Sequence, residues 1–144
     1  MGTQQILLIV LSVIIVGVAI AVGISMFNNQ AYNSNKTAIA SDAQSFAAQV
    51  VQYYKTPVSQ GGGSGTLPTA DAAGAGILGN FIGWGGTTTT NENGTYTVAI
   101  TTDGASGVAT ITGVGTAVKD TKHPKFVATI TFPAGTIVGV ASDV

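Results

Sequence analysis

Cysteine and arginine are both absent from this sequence, and histidine occurs once. Without cysteine there is no disulfide, no thiolate metal site and no lipid-modified cysteine anchor, and the compartment is left open. Without arginine, and with only Lys36, Lys55, Lys119, Lys122 and Lys125 as cations, the chain cannot build the broad basic face that a nucleic-acid backbone demands. The lone His123 stands beside Pro124 in a lysine-rich stretch and reads as a solvated loop residue, with no second histidine to complete a metal site. Charged residues of both signs make up 8% of the chain, against about a quarter in an average domain. The carboxylates Asp42, Asp71, Glu92, Asp103, Asp120 and Asp143 are scattered, so no close acidic pair is available for general acid–base work. Asp103 and Asp120 lack the spacing of a calcium loop. No nucleophile can be paired with a base, and the expectation is a protein that is not an enzyme and carries no cofactor.

What the chain does have is a long apolar run, Ile6 to Phe27, with no charge and only Ser12, Gly17, Gly23 and Ser25 as interruptions. Fifteen of its positions are Ile, Leu, Val or Phe, which favours membrane insertion by roughly 5 to 9 kcal/mol before smaller residues are counted. As a helix it would be about 33 Å long, the thickness of a bilayer's hydrocarbon core. A core helix of a soluble protein normally keeps a polar stripe, and this one has none. Gln4 and Gln5 lie at its leading edge, where an amide entering lipid or protein needs a hydrogen-bond partner. Gly17 with Ala21, and Ala19 with Gly23, put small residues four apart on common faces, the spacing that lets helices approach closely in an apolar medium. No basic residue precedes the run. That suggests a basic leader removed ahead of Met1, with Met1 as the start codon an equal alternative.

From Asn28 the composition turns polar while a helical period persists. Ile39, Ala43, Phe46, Val50 and Tyr53 recur every three or four positions as one apolar stripe. Asn28, Asn29, Asn33, Ser34 and Asn35 are weak helix formers and mark a place for local loosening. Pro57 and the run Ser59 to Gly65 stop the helix and read as a linker. Beyond it the period changes to two. Thr95–Thr101 and Gly107–Thr112 flank an Asp103-Gly104 turn as a hairpin, and Lys125–Phe132 and Thr136–Ala141 supply two more strands. Ile77 to Trp84 reads equally as a short strand or a buried loop. The expectation is α+β: a long N-terminal helix, apolar then amphipathic, packed on a small four-stranded antiparallel sheet. Its segments are residues 1–27 (apolar helix), 28–56 (amphipathic continuation) and 57–144 (glycine-rich linker and β-domain). Tyr96, Val98, Ile100, Ile111, Ile130 and Phe132 should face the helix stripe. Two sequons, at Asn35 and Asn93, offer glycosylation sites where a transferase is present.

This order of parts resembles a mature type IV pilin, across the whole architecture and most specifically in residues 1–27. The resemblance implies that a prepilin peptidase cuts ahead of Met1 and that Met1 is N-methylated. It also implies that the helices bundle in a filament core, assembled by machinery in the inner or cytoplasmic membrane. Three features depart from the bacterial pattern: Gln5 replaces the usual glutamate, the helix-breaking proline of the apolar region is missing, and so is the C-terminal cysteine pair. Gln5 can hydrogen-bond to a neighbour's terminal amine but cannot neutralise it. Without the proline, Gly17 and Gly23 are the expected places for any unwinding. The leading expectation is a structural subunit of a homopolymeric extracellular filament, with Met1, Gln4, Gln5, Gly17, Ala19, Ala21 and Gly23 as the polymerisation residues. A membrane-anchored binding module and a type II secretion pseudopilin are the alternatives. The former leaves the amphipathic extension without a purpose.

Overall fold

In the computed structural model, which describes residues 2–144, the apolar run and its polar continuation form one unbroken helix, α1 (Gly2–Lys55). Its 54 residues make a rod about 80 Å long. The loosening expected at the asparagines from Asn28 to Asn35 and the unwinding expected at Gly17 and Gly23 do not occur. Within the polar stretch Tyr32 is buried against the domain and Asn35 is bonded to two loops, so tertiary contacts override weak propensity.

The glycine run after α1 is a cap rather than a linker. Gly63 N–H donates to Tyr53 O (2.9 Å), Gly65 N–H to Tyr54 O (2.7 Å) and Ser64 N–H to Thr56 O (2.9 Å), which occupies carbonyls that a helix end leaves unpartnered. The close approach demands glycine, since a Cβ on Gly63 would stand 2.1 Å from Thr66 O. Residues 77–84, expected as strand or loop, belong instead to a second helix, α2 (Ala72–Ile82), and its exit. The Asp71 carboxylate caps its start through Gly74 N–H (2.7 Å), and Gly83 ends it at φ 90°. Three internal glycines hide this helix from a propensity reading. Two of them are needed for packing, Gly74 against Thr69 O and Gly79 against Gly86 O.

The sheet has five strands, one more than expected, in simple meander order. These are β1 (Thr88–Thr90), β2 (Gly94–Thr102), β3 (Val108–Gly115), β4 (Pro124–Thr131) and β5 (Thr136–Asp143), each antiparallel to the next. The added strand, β1, comes from the four-threonine run, whose uniform polarity carries no alternation to announce a strand. One face of the sheet is covered by α1 and α2 and the other is open.

All six strand residues expected to face the helix are buried. They meet Ile39, Ala43, Ala47, Val50, Tyr53 and Tyr54 of α1, while Phe46 is only half-buried and packs edge-on to Trp84 (4.9 Å between ring centres) and Tyr96 (5.2 Å). Tyr54 stacks on Phe132 at 4.1 Å. Beneath the helix, Gly139 leaves room for the Phe126 ring, which a Cβ there would meet at 2.2 Å. Ile130 is fully enclosed, so Ile130→Ala should lower stability by about 2 to 5 kcal/mol. Denaturant titration of the full chain in non-ionic detergent measures this, and a loss below about half a kcal/mol, typical of a surface site, would be incompatible with the packing described.

Candidate assembly surface

No residue of the first half of α1 is buried, and its end at Ser25 and Asn28 is bordered by the β3–β4 connection. Every residue from Gly2 to Asn28 is exposed, and its large hydrophobic side chains show between 50% (Leu11) and 74% (Phe27) of their surface. An exposed apolar surface of this length is foreign to a water-soluble monomer and marks contact with lipid or with another protein. By length and composition the helix is able to cross a membrane.

The expected polymerisation residues lie along this helix. Gln4 and Gln5 are exposed immediately ahead of the apolar stretch, and Met1 lies outside the described residues. Gly17, Ala19, Ala21 and Gly23 are exposed too. A Cβ added to Gly17 or Gly23 would meet nothing within 4 Å, so no contact inside the protein requires glycine there. Each costs a helix roughly 0.5 to 1 kcal/mol relative to alanine. Gly17 opens a shallow apolar groove on the helix, bounded by Val13, Val16 and Ile20. Ser12 satisfies its own hydroxyl on Ile9 O at 2.8 Å and so adds no polar cost to the groove.

A further line of small residues escapes a reading centred on the inner stripe. Ala31, Ser34, Ala38, Ser41, Ser45 and Ala48 recur at alternating steps of three and four, opposite the face that covers the sheet. All are exposed except Ala38, which is half-buried. The signal is present in the sequence as a 3.5-residue period of Ala and Ser, and it continues the line of Gly17, Ile20, Ile24 and Phe27. The outer face of α1 is therefore smooth far beyond the apolar run.

No protein-family model, curated protein or solved structure matches this chain. The arrangement itself, a long apolar N-terminal helix packed on an antiparallel sheet, is pilin-like.

The two sequon asparagines are brought together by the fold. Asn35 donates its amide to Asn93 O (2.8 Å) and accepts from Ala117 N–H (3.2 Å), which ties α1 to both the β1–β2 and β3–β4 loops. The Asn93 amide donates to Asp42 Oδ2 (2.8 Å), which also accepts from Asn91 Nδ2 (3.0 Å) and the buried Tyr96 hydroxyl (2.7 Å). Both side chains are thus occupied in hydrogen bonds that position the domain on the helix. His123, expected in a solvated loop, is half-buried with Nδ1 3.0 Å from Gly115 O, and its backbone pairs with Val144.

Burial is the largest influence on Asp42 and opposes ionisation, but the bonds from Asn93, Tyr96 and Asn91 outweigh it and hold the carboxyl below its ordinary value. At Asp143 the hydrogen bond from Tyr32 leads, followed by Lys36, with the same result. A carboxyl lowered in the folded state contributes stability that is complete above its unfolded value, near 3.9, and lost as pH falls through the folded value. The domain should therefore be insensitive to these groups from neutrality to about pH 5 and weaken below about pH 4. Asp42→Ala, which strands the Tyr96 hydroxyl, should cost about 1 to 3 kcal/mol near neutral pH. The gap to the parent chain should narrow in acid, read by urea denaturation at both pH values; a gap that stays constant would mean that the ionised carboxylate is not the stabilising form.

Proposed function

We propose that this chain is the structural subunit of an extracellular, type IV pilus-like filament, polymerised through the N-terminal half of α1. The observation that carries the reading is the exposed apolar helix joined without a break to the rod that bears the domain. In a bilayer it would hold the subunit before assembly, and in a filament the same surface would meet identical helices. Both surroundings are apolar, so the hydrophobic effect discriminates little between them, and close packing and interhelical hydrogen bonds decide the equilibrium. Gly17, Ala19, Ala21 and Gly23 supply the former, Gln4 and Gln5 the latter. The small-residue line from Ala31 to Ala48 extends the packing surface to the level of the domains, and a simple membrane anchor has no use for it.

The remaining parts of the proposal follow from the pilin resemblance: processing and N-methylation at Met1 by a prepilin peptidase, assembly by a machine in the inner or cytoplasmic membrane, and display at the cell surface. A type II secretion pseudopilin shares this architecture and differs in the machine it serves.

Ala21→Leu should wedge the helix faces apart and reduce filament yield while leaving membrane insertion intact. Gln5→Leu should do the same by removing an amide partner. Negative-stain microscopy of cells and light scattering of purified protein read both outcomes. A chain lacking residues 1–27 should remain folded and monomeric. Filaments built by that truncated chain would overturn the helix-core reading and point to the exposed edge of β5 as the polymerising element.

A further inference from the structure

The β3–β4 connection, residues 116–123, reaches down α1 to the end of the apolar run. Val118, Lys119 and Asp120 border a recess with Ser25, Asn28 and Asn29 of the helix. At its tip Lys119 and Lys122 pair backbone to backbone, each N–H donating to the other's carbonyl at 2.9 Å, around Asp120 (φ 51°) and Thr121 (φ 65°). A left-handed conformation is uncommon for a β-branched residue and costs about 1 to 2 kcal/mol. This tight turn sets Lys119 and Lys122 directly opposite each other, a like-charge pairing that is unfavourable unless an anion stands nearby. Neither lysine forms an ion pair among the described residues, whereas Lys36 is held by Asp143 at 2.9 Å. Val118, just before them, is 55% exposed.

We propose that this turn is a docking point for anionic phospholipid headgroups, used while α1 spans the bilayer; the inference rests on that membrane-spanning reading. With Phe27 at the edge of the hydrocarbon, Asn28 and Asn29 stand about 2 to 3 Å beyond it. That is inside a headgroup layer about 5 to 8 Å deep. The turn that abuts them lies in the same layer. Lys119 and Lys122 there face lipid phosphates, and Val118 dips toward the acyl boundary beside Ser25. The cleft beside the turn carries Lys36, Lys119 and Lys122 against Asp120 and Asp143, and Lys122 also acts on Asp143. Three ammonium groups thus face two carboxylates. Asp143 is engaged by Lys36 and Tyr32, and the neighbouring Asn93 fixes Glu92 at the level of Asn35, about 12 Å beyond Phe27. The cleft of about 340 Å³ between the turn and Tyr32, Lys36 and Asp143 gives a phosphate room to enter between the lysines.

The absence of cysteine makes the test direct, since Val118→Cys creates one labelling site in the full chain. The labelled protein, carrying an environment-sensitive fluorophore, is reconstituted in vesicles of phosphatidylcholine alone or mixed with phosphatidylglycerol. Ile14→Cys serves as the matched probe of the spanning helix. The protein should float with both vesicles and the Ile14→Cys label should read lipid in both. The Val118→Cys label should shift to a lipid-like signal only with phosphatidylglycerol and revert in high salt. Lys119→Gln and Lys122→Gln should each lower the lipid-facing fraction about fivefold. A Val118→Cys signal identical in the two vesicles, with the Ile14→Cys label still in lipid, would overturn the docking proposal and leave the spanning helix standing. Failure to float, or an Ile14→Cys label in water, would overturn both.

Discussion

The contact between the inner face of α1 and the covered face of the sheet is the constraint on which the other features depend. The meander has a single layer, and without the helix its row of Tyr96, Ile111, Ala128 and Ile130 would face water. The helix depends on the sheet in turn, because the stretch from Asn28 to Lys55 opens with four asparagines in eight residues and would be marginal alone in water. Each stabilises the other, and the seam is confined to Tyr32 through Tyr54. That confinement leaves the preceding turns of α1 free to adopt a different solvent. One continuous backbone therefore joins a domain built for water to a surface built for lipid or protein.

Charge is scarce in this chain, and much of it is used to position the domain. Asp42 gathers Asn91, Asn93 and Tyr96, Asp143 gathers Tyr32 and Lys36, and Asp71 caps α2. Burial, followed by the Asp143 contact, raises the Tyr32 hydroxyl to about 12, so it remains a donor at any physiological pH. These polar contacts lie around the edge of the apolar seam. They fix the register of the domain along the rod, which a smooth stripe of Ala, Val and Ile would leave less well defined. The open face of the sheet, by contrast, presents threonines alongside Val127, Val138 and Val140, with Lys125 toward one end.

Much of this was legible in the sequence, for identifiable reasons. A charge-free run of lipid length and a period of two across Thr95–Thr101 are strong patterns, and they define the helix and the buried strand faces. The inner stripe was read through Ile39, Ala43, Phe46, Val50 and Tyr53, of which Phe46 lies at its half-buried margin, but Ala47, Tyr54 and Tyr32 needed the packing to reveal them. The glycine-rich parts were misread because glycine weakens every local signal. At residues 61–65 it permits backbone to cap backbone, and in α2 it permits helix to touch loop. In each case the reason for the residue lies in a neighbour distant in sequence. The exposed half of α1 was legible as an apolar run with small residues. Its continuation along Ala31 to Ala48 was obscured because Ala and Ser on an exposed face carry no hydrophobic contrast.

The hydrogen bond from Tyr32 to Asp143 joins positions 111 apart in the chain, and β5 reaches α1 only after four other strands have been laid down in order. Synthesis runs in one direction, so the helix is complete long before the strand that closes onto it. The end of the domain around Tyr32 is thus the last part able to mature, and a chain cut short ahead of β5 lacks it. The contacts that fix the domain against the rod at that end therefore wait on the last residues made.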